Sequence, residues 1–171
     1  MKHNIKHNHT RKINIKYLPK NLSLKDKKIQ SKMLQKSQKM YKKGLYYTRK
    51  KIDSYKSIKS KHILKAMKMY DVEKIGATNE LSKKTKCSKE SLKKIINKGE
   101  GAYYSSGSRP NQTPQSWGIA RLASAITSGK AALVDYHILE KGCNKSSKAL
   151  RLAKKLKKTM KLRKSRKTNL M

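Results

Sequence analysis

Between residues 71 and 142 the chain carries 12 lysines and arginines against seven acids, whereas the remainder carries 34 against two. Like charges crowded to contact distance repel by about 1 kcal/mol per pair even in water. The lysine-dense flanks therefore cannot close on themselves unaided, and the nearly balanced middle is the part able to build a core. The formal net charge of +37 demands a polyanion as partner: DNA, RNA, an anionic membrane or an acidic protein.

The chain of 171 residues has no phenylalanine and one tryptophan, Trp117, so a core must come from Leu, Ile, Met, Val, Ala and Tyr. The pattern predicts a mainly α fold. Residues 1–22 are expected to be a disordered basic arm, 23–59 a basic amphipathic helix and linker, 60–142 a small helical domain, and 143–171 a basic tail, unstructured when free and helical once its charges are neutralised.

The first helix has both ends marked, with Ser23 as N-cap, Asp26 in the first turn and Gly44 as the stop. After it, Tyr46, Tyr47, Ile52, Tyr55 and Ile58 alternate with lysines. Such interleaving suits a nucleic-acid surface, where rings stack and ammonium groups meet phosphate, and equally suits tyrosines packing helices onto a core. A second amphipathic helix is expected through Ile63, Met67 and Tyr70.

Thr78 and Asn79 cap a short helix, and Ser88, Glu90 and Gly99 mark the start, first turn and end of the next. On this second helix Leu92, Ile95 and Ile96 share one side, while Lys93, Lys94, Asn97 and Lys98 share the other. Two short helices with the second presenting lysines outward form the outline of a helix-turn-helix pair. Three readings of that lysine face stand: phosphate contact without regard to sequence, base reading through Asn97, or a solvated structural face.

The stretch GEGAYYSSGSRPNQTPQSWG, residues 99–118, has a single basic residue, Arg109. It reads as a loop whose Ser105, Ser106, Ser108 and Arg109 can hold a phosphate, or which packs Tyr103, Tyr104 and Trp117. Thr113 then caps a helix with Pro114 at its first position. That helix is apolar or small on nearly every side, which predicts burial at the centre of the fold. Its one charge, Arg121, needs a carboxylate, and Glu100 and Asp135 are the candidates. Asp135 is expected to cap a turn of helix ending at Gly142 after a short extended piece.

No enzyme constellation is present in the pattern. Asp135, His137 and the serines carry the letters of a triad without a nucleophile elbow, and neither GxxxxGK[ST] nor a placed GxGxxG occurs. No cofactor, metal or small-molecule substrate is expected; His3, His7 and His9 read as incidental to a Lys/Asn-rich arm. Cys87 and Cys143 stand too far apart in sequence to read as a disulfide scaffold, and they suit a reducing compartment. No apolar run reaches the length of a membrane span, and a membrane-active role for the C-terminal helix ranks last.

SKHILKA, ELSKKTKCSKESLKKIINKGEGAYYSSGSRPNQT and SWGIARLASAI, with the upstream KYLPKNLSLKDKKIQSKMLQKSQKMYKKGLYYTRKK, give the chain a family likeness. It resembles an uncharacterised family of small lysine-rich proteins of large nucleocytoplasmic DNA viruses, of the mimivirus and phycodnavirus type. The resemblance implies no catalytic residues. It implies a virion protein made in the host cytoplasm, in a virus factory, and it implies lysine over arginine through AT-rich coding.

The expected function is sequence-independent binding of nucleic acid, DNA before RNA, for genome condensation or packaging. The expected contacts are Lys83, Lys84, Lys86, Lys89, Lys93, Lys94, Asn97 and Lys98 of the helical pair, Ser105, Ser106, Ser108 and Arg109 of the loop, and Lys154, Lys155, Lys157 and Lys158 of the tail. Trp117, Arg121, Asp135 and Glu100 are expected to be structural. A minor capsid or core protein, with self-association or other virion proteins as partners, is one alternative. A sequence-specific helix-turn-helix regulator is the other.

Overall fold

The computed structural model describes residues 13–58 and 60–168, with side chains to residue 160. The expected N-terminal arm up to residue 12, with His3, His7 and His9, lies outside the described residues. Among those described there are eight α-helices and no strand: α1 Leu24–Tyr41, α2 Lys61–Tyr70, α3 Asn79–Thr85, α4 Lys89–Ser105, α5 Pro114–Ile126, α6 Lys130–Val134, α7 Tyr136–Gly142 and α8 Lys148–Thr168. A single 3-10 turn, Ile15–Tyr17, precedes them.

The start signals hold at four helices because each expected cap places an oxygen on an otherwise unpaired amide. Ser23 accepts from Asp26 N, Thr78 from Leu81 N and Ser88 from Ser91 N, while Thr113 and Ser116 form a reciprocal capping box. The stop signals hold less well. Helix α4 passes through Gly99 and Gly101 and ends at Ser105.

Gly99 continues the helix because its role is contact. A Cβ there would stand 2.5 Å from the Gly118 Cα, and one on Gly118 would stand 2.7 Å from the Ile96 carbonyl oxygen. Two helix backbones thus meet where both lack side chains, and α4 against α5 is the spine on which the rest is arranged. Helix α5 also packs on α2, α6 and α8, and α4 on α1 and α7.

The main core gathers Ala66, Tyr70, Leu81, Leu92, Ile95, Leu122, Ile126 and Leu139 with Ala149, Leu150 and Ala153 of α8. The expected unstructured tail is thereby corrected at its near end: from Lys148 it is helical, and three of its small or apolar side chains are buried. Its spacing of Ala149, Leu150 and Ala153 is that of one helix face, and core surface was waiting for it. The expected disordered arm is corrected likewise at its far end, where Tyr17 and Leu22 are buried. Leu22 joins a second, smaller cluster with Met33, Ile52 and Tyr55.

Three further expectations change. The segment after Gly129 is helical (α6) rather than extended. Asp135 stands between α6 and α7, but its side chain makes no capping hydrogen bond. Cys87 and Cys143, separated by 56 residues, are disulfide-bonded, with their backbones paired in a short antiparallel bridge. Ser88 N donates to the Gly142 carbonyl and Asn144 N to the Lys86 carbonyl, both at 2.8 Å, so the pairing is built by backbone that sequence distance concealed.

Candidate nucleic-acid interface

Helices α3 and α4 are joined by residues 86–88, with Lys86 in the left-handed conformation (φ 55°). Burial of Leu92, Ile95, Gly99 and Tyr103 fixes the rotation of α4 about its axis. At 3.6 residues per turn this turns Lys93, Lys94 and Asn97 outward, and all three are exposed. Lys83 and Lys89 are exposed as well, and among the described residues none of these four lysines makes an ion pair.

Other expected contacts are already committed. Lys84 meets Asp71 at 3.2 Å on the surface, a pair worth little in water. Lys86 Nζ donates to Ser146 Oγ at 3.2 Å. Lys157 Nζ lies 3.9 Å from the centre of the Tyr136 ring. Lys98, exposed like its neighbours, also has a structural partner: its Nζ is 2.9 Å from Asp135 Oδ1.

Asp135 is wholly buried and is the hub of the body's charge. Arg121 grips it through Nε to Oδ2 at 2.7 Å and Nη2 to Oδ1 at 2.8 Å, the two-pronged geometry of a strong pair. Burial alone would raise its pKa, but the hydrogen bonds and charges of Arg121 and Lys98 outweigh that and hold it below the ordinary carboxylate value. Of the two candidate partners for Arg121, Asp135 is thus the one, and Glu100 instead folds against Gly118.

The near-neutral stretch is half helix and half clasp. Gly107 (φ 107°) must be glycine, since a Cβ would stand 2.7 Å from Leu34 Cδ2 as well as in a strained conformation. Ser108 is fully buried, which corrects its expected phosphate role. Its carbonyl accepts from Gln30 Nε2 at 3.1 Å and its hydroxyl accepts from Arg49 Nη2 at 2.8 Å. Asn111, left-handed at φ 57°, accepts from Ile52 N at 2.7 Å and donates to the carbonyls of Ile52 and Tyr55 at 2.8 and 2.7 Å. Ser105, Ser106 and Arg109 are exposed. Trp117 is half-buried, edge-on to Tyr17 with ring centres 6.1 Å apart.

Sequence reasoning passed over Arg49. Its guanidinium lies 3.6 Å from the centre of the Tyr103 ring and donates to Ser37 Oγ, the Tyr103 carbonyl and Ser108 Oγ. Burial draws its pKa below the ordinary arginine value. The available signal was residue choice: only seven of the 46 basic residues are arginine, and a planar fork is what such a site requires. Beside it an open cleft is lined by Arg49, Lys51, Lys56, Asn111, Thr113 and Asp53 among others.

At the far end of the outward α4 face stands a cluster of tyrosines. Tyr104 stacks on Tyr41 with centres 5.9 Å apart and planes 8° apart. Tyr46 meets Tyr104 and Tyr41 edge-on at 5.0 and 6.0 Å. Tyr41 and Tyr104 are half-buried, whereas Tyr46 is 70% exposed.

Helix α8 packs on α5, α6 and α7. Its Lys154, Lys155 and Lys158 are exposed there, on a helix separate from the α4 face. Among the described residues no three metal-ligating side chains gather, and no helix is long and apolar enough to cross a membrane. A model for a family of unknown function, DUF5824, matches residues 15–151, which takes in everything from the first 3-10 turn to the first turn of α8. No curated protein and no solved structure matches the chain.

Proposed function

The chain belongs to DUF5824, whose function is unknown, and we propose from its own residues that it binds nucleic acid through the phosphates, with little regard to sequence. The observation that carries this reading is the division of labour on α4. Lys98, though exposed, is paired with the buried Asp135, while Lys89, Lys93 and Lys94 stand exposed and free of ion pairs among the described residues. Binding displaces the counterions condensed on the nucleic acid, which gives affinity without base contacts. The exposed lysines of α8 and the rest of the basic flanks add to the same effect.

The likeness to lysine-rich proteins of large nucleocytoplasmic DNA viruses supports a setting in genome condensation or packaging, with DNA as the polyanion and the virion interior as the location. Fractionated particles test that setting: travel with the genome supports it, and travel with the shell supports a minor capsid or core protein instead.

Titration of the full chain with a labelled duplex at about 50 and 200 mM salt tests the binding itself. Neutralising six or more phosphates predicts a loss of roughly a thousandfold or more over that range. The double substitution Lys93→Gln with Lys94→Gln is expected to lower the salt slope by about two and to weaken all sequences alike. Affinity that barely moves with salt would sink the electrostatic account, and a strong preference among duplexes would favour base reading through Asn97.

A further inference from the structure

Resting on that reading, we infer that Tyr46, backed by Tyr41 and Tyr104, is a stacking platform for an unpaired base, so that the preferred nucleic acid is single-stranded or has an open end. Tyr46 is 70% exposed and its neighbour Leu45 52% exposed, so the two form an apolar patch. The patch is held up by design of the backbone. Gly44 takes φ 76°, and Leu45 N donates to the Met40 carbonyl at 3.0 Å, so the chain doubles back over the end of α1. Contact with both Tyr41 and Tyr104 fixes the ring.

The surroundings select the occupant. Lys42 and Lys43 are exposed on the turn itself. Counting 100° per residue along α4, Lys94, Asn97, Gly101 and Tyr104 fall within one third of its circumference. Lys94 and Tyr104 are about 15 Å apart along the axis at 1.5 Å rise per residue. A strand laid on this face meets ammonium groups first and aromatic rings at the end. The acids of α4 stand aside, Glu90 in the first turn and Glu100 against Gly118. A duplex can use the lysines but keeps its base faces stacked inside itself, whereas an unpaired base offers a π-face that any sequence supplies.

The experiment compares a short oligo-dT with an abasic oligonucleotide of equal length, which keeps the phosphates and removes the bases, at about 50 and 200 mM salt. The full chain is expected to favour oligo-dT by roughly 5- to 150-fold, the range of one stacked base, with the preference kept at the higher salt. Tyr46→Ala should abolish the preference and Tyr46→Phe should retain it, while Lys93→Gln with Lys94→Gln weakens both ligands equally. Because Tyr46 is mostly exposed, its loss leaves the core intact. Equal affinity for the two ligands, with the usual salt dependence, overturns the platform and leaves phosphate binding standing. No binding of either at about 50 mM salt overturns both. A change of oligomeric state in Tyr46→Ala with base preference intact also overturns the platform, in favour of contact between copies.

Discussion

Helix α1 buries Met33 and Leu34 but also reaches the body through polar groups. Gln30, 1% exposed, donates to the carbonyls of Ser108 and Tyr17, and the buried Ser37 accepts from Arg49 and donates to the Tyr104 carbonyl. Helix α8 reaches it through Ala149, Leu150 and Ala153, all buried among apolar neighbours, just beyond a disulfide at Cys143. As sequences the two are alike, lysine-coated helices with thin stripes. What differs is how strictly each is placed: hydrogen bonds to particular carbonyls fix one register, whereas apolar contact accepts any side chain of similar volume.

The comparison can be broken at four points, of decreasing effect. Replacing Cys87 and Cys143 by serine opens a loop with a sequence separation of 56, and the chain-entropy account predicts a loss of about 4 kcal/mol in denaturant melts. Amide exchange should then quicken in residues 144–153 and not in α1. Equal quickening in both would show that the two seats are one cooperative unit.

Asp135→Asn removes the carboxylate that both Arg121 and Lys98 require and is expected to cost about 3 kcal/mol, at the low end for buried pairs because Lys98 is 40% exposed. Acid should reproduce part of this. The folded-state pKa lies below the ordinary value of 3.8, so the stabilisation is full above that value and is lost as pH falls through the lower one. A pH series on wild type and variant checks it: the wild type should lose more stability below about pH 4 than Asp135→Asn does.

Gly99→Ala improves helix propensity yet drives a Cβ against the Gly118 Cα, and the clash is expected to prevail with a net loss of about 2 kcal/mol. It should loosen α1 and α8 together, since both rest on the α4 and α5 spine. The finest test is a matched pair. Gln30→Leu strands the Ser108 carbonyl and should cost about 1.5 kcal/mol, while Leu150→Met keeps volume and should cost less than about 1 kcal/mol. Equal costs would erase the contrast between polar and apolar seating.

Much of the fold was legible because helix starts are written locally. Ser23, Thr78, Ser88 and Thr113 each act within three residues, and each was visible. The small, apolar makeup of α5 announced its burial, and Arg121 announced its need of an acid. What escaped was decided by distant partners. Gly99 looks like a stop until Gly118 stands across from it. Ser108 looks like a phosphate ligand until Arg49 and Gln30 take its two oxygens, and Lys98 looks free until Asp135 arrives from between α6 and α7. The exposed Lys93, Lys94 and Asn97 were legible for the opposite reason: they face away from everything, so the helical period alone places them.

The bond between Cys87 and Cys143 also has a mechanical meaning. It turns the chain between them into a closed ring from which one strand leaves toward α3 and the other toward α8, side by side. Tension applied between those two strands, as when both are anchored on one long polymer and the polymer is stretched, passes from sulfur to sulfur. The backbone of helices α4 to α7 inside the ring is then bypassed by that covalent path.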